Sequence, residues 1–125
     1  MAFTVALKST TYFDANNILT FDDIITNIGE HFSNYTSVFL CPYTGIYSFF
    51  LAITDDNELV HAWIMLENEL IVQSRSTNND VDDQGSNMAV IECHRGQRVW
   101  VQVTDEGYLR GSRDTTFSGF LIHVY

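Results

Sequence analysis

Tyr47-Ser48-Phe49-Phe50-Leu51-Ala52-Ile53 is the stretch on which the fold turns. Read with a period of two, it puts Tyr47, Phe49, Leu51 and Ile53 on one face and Ser48, Phe50 and Ala52 on the other. Aromatic and β-branched residues of this kind suit a pleated strand better than a helix. Both faces are largely apolar, so the strand is either covered twice within one domain or has an outer face that meets another subunit. A two-sheet sandwich covers only one face of each sheet, which favours the second option. Phe50, with Trp63 and Tyr125, is then a candidate for subunit contact, the alternative being isolated surface aromatics.

Similar runs recur on either side, separated by Gly, Asn and Asp clusters that form turns. They cover Phe3–Leu7, Thr36–Leu40, Ile46–Ile53, Glu58–Leu66, Leu70–Gln73, Met88–His94, Arg98–Val103 and Thr115–Val124, with Glu67-Asn68-Glu69 as a tight hairpin turn. The stretch 13–31 has a short helical pattern around Ile24, Ile25 and Ile28. Thr20, Asn27 and Gly29 weaken it, so strand and loop pieces are expected there. No repeat, low-complexity tract or linker divides the 125 residues, and residues 1–125 are expected to form a single domain.

Apolar residues make up 46% of the chain and charged ones only 18%, a balance that supports a packed core and excludes disorder as the main state. Six basic against 16 acidic side chains give a net charge of −10. That argues against nucleic acid and anionic membranes, whose binding needs Lys and Arg. No apolar stretch is long enough to span a bilayer, and the N-terminus lacks a signal-type pattern, so neither membrane insertion nor a targeting segment is expected in the chain as given. Cys41 and Cys93 both fall on inward-facing positions and form either one bridge or two buried thiols.

Phe21, Asn27, Phe32, Phe39, Gly45, Tyr47 and Phe49 are spaced in a way that resembles the signature of the complement C1q globular head domain. Leu51 departs from the family's usual Phe or Tyr, but it is still large and apolar. AFTVAL near the start, RGQRVWVQV and FSGFLIHVY extend the likeness over essentially the whole chain. The resemblance implies a ten-stranded jelly-roll sandwich of the C1q/tumour necrosis factor type, assembled as a homotrimer. It also implies a secreted binding module and not an enzyme. The collagen-like stem of many members is absent, which leaves a head-only protein or a head from a longer chain.

The four histidines sit in unrelated contexts, and no GxSxG, HExxH or phosphate-cradling glycine loop is present. The acidic loop NNDVDDQ at 78–84 gathers the hard oxygen donors that calcium requires, and its alternative is a solvated turn. The resemblance places Asp83 on the family's calcium-ligand aspartate, with Asp80 and Gln84 as supporting or water-mediated ligands. Asp55 and Asp56 in the loop at 54–58, with Tyr108, Arg110 and Arg113 beyond the loop at 104–107, combine carboxylates, an aromatic plane and guanidinium groups. Such a set suits sugar binding, an anionic sugar in particular, unless these are ordinary β-turns. Asn34-Tyr35-Thr36 fits the N-glycosylation acceptor pattern. With these features beside it, the resemblance implies a lectin-like innate-immune protein that binds glycans or other microbial patterns. The alternative is a trimeric signalling or structural module of cerebellin/adiponectin type that engages a protein receptor.

Overall fold

The strands are β1 (Ala2–Ala6), β2 (Thr11–Phe13), β3 (Asp23–Ile28), β4 (Phe39–Leu40), β5 (Gly45–Thr54), β6 (His61–Leu66), β7 (Glu69–Arg75), β8 (Gln84–Cys93), β9 (Arg98–Val103), β10 (Gly107–Leu109) and β11 (Thr116–Val124). They come from a computed structural model that describes residues 1–56, 59–76 and 84–125. Among the described residues there is no helix. One sheet runs β3-β1-β11-β5-β8, a second β4-β9-β6-β7, and a two-stranded ribbon joins β10 to β2. Two sheets packed face to face, with the last long strand lying between the first and the fifth, form a jelly-roll sandwich. Where the resemblance implies ten strands, eleven are described, three of them pieces of only two or three residues.

The alternation in β5 is what holds the sandwich together. Tyr47, Phe49, Leu51 and Ile53 are fully buried, and Phe49 packs against Phe3, Phe39, Tyr47 and Phe117 with ring centroids 5.7–6.4 Å apart. Aromatic pairs at such distances add to the burial of their area. The recognised signature is therefore mostly a core motif: Phe21, Phe32, Phe39, Tyr47 and Phe49 all belong to one buried cluster. Its two polar or small members have separate jobs. The Asn27 carboxamide donates to the Phe32 carbonyl at 2.9 Å and accepts from the Phe32 N–H at 3.2 Å, closing the loop after β3. At Gly45 a Cβ would come within 2.1 Å of the His123 carbonyl oxygen, so only glycine allows β5 and β11 to meet there.

On the outer face of the same sheet, strand register aligns Ile28, Ala2, Phe120, Ser48 and Val90 in one row and Thr26, Thr4, Ser118, Phe50 and Met88 in the next. Ile28, Phe120, Val90, Phe50 and Met88 are 62, 51, 55, 42 and 56% exposed. Trp63 lies elsewhere, in β6 opposite Gln73 and Gln102 in the second sheet, so the residues singled out for subunit contact fall on different sheets. Tyr125 is exposed, and its hydroxyl donates to Glu92 at the end of β8.

The expected strand 36–40 shrinks to Phe39–Leu40, because residues 34–36 form a turn and Ser37 takes a left-handed φ of 58°. The ambiguous stretch 13–31 contains strand and no helix, as expected. Cys41 and Cys93 are joined by a disulfide between the segment after β4 and the end of β8.

Candidate functional site

The residues singled out for binding gather at the end of the sandwich where β5 finishes and β8 starts. β5 turns outward at Asp55, which bridges to Leu109 of β10, while Asp56 donates its N–H to the Tyr108 carbonyl and Arg110 donates its N–H to Thr54. β10 in turn pairs with β2, placing Tyr108 opposite Tyr12. Three segments far apart in sequence thus form one platform.

Its chemistry is aromatic and acidic. The Tyr12 and Tyr108 rings meet edge to face at 5.1 Å, both half exposed, and the Tyr12 hydroxyl donates to Glu106 Oε2 at 2.6 Å. Arg110 lies between Asp56 Oδ1 at 3.8 Å and Asp114 Oδ2 at 3.7 Å. All three of these groups are solvent-accessible, so the ion pairs order the surface more than they stabilise it. The Asp55 side chain is fully buried beneath the platform. Gln84 completes the edge, its amide nitrogen donating to Thr54 Oγ1 at 3.2 Å and to the Asp114 carbonyl at 3.0 Å. With that nitrogen committed, the Gln84 side-chain carbonyl oxygen is its acceptor atom.

Asp55, Asp56, Tyr108, Arg110 and Gln84 are therefore brought together, and Arg113 is turned away. Arg113 takes a left-handed φ of 65° and binds Asp23 of β3 at 2.9 Å. The guanidinium beside Asp23, first through its hydrogen bond, holds that carboxyl below the ordinary carboxylate range. Both guanidinium groups expected to attract an anion are thus already matched to carboxylates, so the platform offers acceptor oxygens and aromatic faces.

Asp80 and Asp83 lie outside the described residues. Among those described, no group of three His, Cys, Asp or Glu side chains is placed to hold a metal ion. Sequence reasoning included Glu106 only as part of the loop at 104–107 and passed over Tyr12 and Asp114. Tyr12 sits in a three-residue strand whose partner is more than 90 residues away, and it carries no local signal. Asp114 falls four residues after Arg110, a spacing that signals an ion pair only in a helix.

A family model described as "C1q domain" matches residues 2–122. The human complement C1q and tumor necrosis factor-related protein 9B is 30% identical over 97% of this chain. Mouse complement C1q tumor necrosis factor-related protein 7 is 29% identical over 98% of it. Zebrafish Caprin-2 is 34% identical over 84%. The chain spans 38, 44 and 12% of these relatives, less than half of each. Among solved structures, the globular domain of zebrafish complement 1qA superposes with a TM-score of 0.84 at 20% identity, covering 99% of this chain and 98% of that one. Eiger, a tumour necrosis factor from S. frugiperda, superposes with a TM-score of 0.85 at 11% identity, covering 100 and 94%. At such identities the superpositions speak to fold alone.

Proposed function

The chain belongs to the C1q domain family, and on that premise we propose that it is a secreted homotrimer that binds surface glycans or other microbial patterns in innate immunity. The observation that carries this reading is the loop-end platform. Tyr108 and Tyr12 present ring faces for the C–H side of a sugar, and Asp56, Glu106 and Asp114 surround them with acceptors for hydroxyls. Because Arg110 and Arg113 are already paired, the reading narrows from an anionic sugar to a neutral polyhydroxylated one. The role is binding and not turnover.

The homotrimer is supported by the apolar outer face of the β3-β1-β11-β5-β8 sheet, whose exposed Ile28, Phe120, Val90, Phe50 and Met88 suit a subunit interface. Three weak sites on one rigid body bind a repetitive surface with gains set by effective concentration. Secretion is supported by the buried Cys41–Cys93 disulfide, a bond that persists in oxidising compartments. Calcium belongs to the same proposal, held by Asp83 with Asp80 and the Gln84 carbonyl oxygen. Bound there, it would offset the repulsion among chains of charge −10.

The test is an array of glycans and microbial polysaccharides probed with the assembled protein, once with Ca²⁺ and once with chelator. Selective binding that falls at least tenfold in Tyr108→Ala is expected. A blank array from a folded trimer would overturn the glycan reading in favour of a protein receptor. Calcium should also raise the melting temperature of the wild type and leave that of Asp83→Ala unchanged. If the wild type shows no rise, the acidic loop is a solvated turn.

A further inference from the structure

We propose that Asn34 is an N-glycosylation site whose oligosaccharide covers the open edge of β3, an inference that rests on the secreted reading above. Asn34-Tyr35-Thr36 is the only Asn-X-Ser/Thr sequence in the 125 residues. The structure puts all three residues in a turn between β3 and β4, with Asn34 and Thr36 exposed and Tyr35 91% exposed. The turn is anchored from below. Ser33 Oγ accepts from the N–H groups of Tyr35 and Thr36 at 3.3 and 3.2 Å, the Ser33 N–H donates to Val38, and the Ser37 N–H donates to Ser33.

Other asparagines here have structural work. The Asn27 carboxamide closes the loop to Phe32, and Asn87 donates to the Gln73 carbonyl. The Asn34 carboxamide and the Thr36 hydroxyl make no such bond to another described residue, so the acceptor nitrogen and the hydroxyl a transferase must read both face solvent on a fixed turn.

The position also has a physical use. Among the described residues β3 pairs with β1 alone, so its other edge carries unpaired backbone groups beside the exposed Ile24 and Ile25. Such an edge is a template for pairing with another chain unless something covers it. Asn34 lines the same hollow, about 580 Å³, as Ile24, Asn27 and Phe32, so a hydrated sugar attached there stands over that edge. The turn follows the Ile28 end of β3, whereas the Asp23 end reaches Arg113, so the glycan leaves the loop-end platform clear.

The co-reactant is an oligosaccharide linked to a lipid diphosphate. The bond from the anomeric carbon to the diphosphate oxygen breaks, a carbon–nitrogen bond forms to Asn34 Nδ2, one amide proton leaves to a base, and the lipid diphosphate departs. Nothing is oxidised or reduced.

The experiment expresses the whole chain behind a cleavable secretory signal in insect cells. The medium is analysed by intact mass and peptide mapping before and after a glycoamidase that hydrolyses the sugar–amide linkage and leaves Asp at the acceptor. One glycan at Asn34 is expected, lost in both Asn34→Gln and Thr36→Ala, with all three proteins folded because the turn is exposed. A secreted, disulfide-bonded chain with unmodified Asn34 would overturn the proposal and leave secretion standing. A chain retained in the cells in every form would overturn the secretion reading, and the site with it. Enzymatic removal of the sugar from folded protein should raise the sedimenting mass by edge association, and an unchanged mass would overturn the edge-covering role.

Discussion

At Gly119 an added Cβ would lie 2.6 Å from the Phe3 ring and 2.8 Å from the Phe49 ring. Those rings are core members that cannot yield, so Gly119→Ala should lower unfolding free energy by about 1–3 kcal/mol in urea titration, with an unchanged slope. Glu67 makes a different point. It turns the β6–β7 hairpin with a left-handed φ of 54°, a conformation that favours glycine, and Arg98 clamps it there. Arg98 donates its backbone N–H at 2.9 Å and its guanidinium at 3.0 and 3.3 Å to the Glu67 carboxylate. The side-chain hydrogen bond, followed by the backbone one, holds the Glu67 carboxyl below its ordinary value. A lowered folded-state value contributes stability above the unfolded value and loses it as pH falls through the folded one. Glu67→Gln should therefore melt below the wild type at pH 7, the two converging as the pH falls through the lowered folded-state value. At this scale the sequence was partly legible. The apolar signature positions read as core, but the reasons for Asn27 and Gly45 lie in partners reached only by folding.

Among elements, legibility followed strand length. β5, β9 and β11 show alternation over six or more residues, and the sequence placed their bounds within a residue or so. β2 and β10 are three residues each and exist because Gly107–Leu109 can pair with Thr11–Phe13, which no local pattern announces. The candidate platform stands on that ribbon. Its loop residues were legible as polar clusters, but the Tyr12–Tyr108 contact and the turning of Arg113 toward Asp23 were not. Trp63 shows the same limit. Alternation says that a residue points outward from its sheet, but not which sheet it belongs to. The disulfide was undecided for a related reason, since inward-facing cysteines 52 residues apart suit a bridge and a thiol pair equally well.

For the whole molecule the sharpest prediction concerns assembly. Phe50 is central to the exposed apolar rows of the five-stranded sheet, and β11 and β8 flank it. Phe50→Asp would place a charge in the middle of that face, where burial against two copies would leave it unpaired. Sedimentation should give a mass of three chains of 14.3 kDa for the wild type and one chain for the variant, each with native circular dichroism. A wild-type monomer at micromolar concentration would remove the subunit face and the avidity with it.

The order of the same sheet also governs when the molecule can fold. β11 lies between β1 and β5, and the Thr4 and Ser118 hydroxyls that meet at 2.9 Å are 114 positions apart. A chain emerging from the ribosome therefore cannot close its larger sheet until its final strand is made. Until then β1 and β5 present open edges to their neighbours, so crowding of nascent chains is the stage at which this protein is most exposed to misassembly.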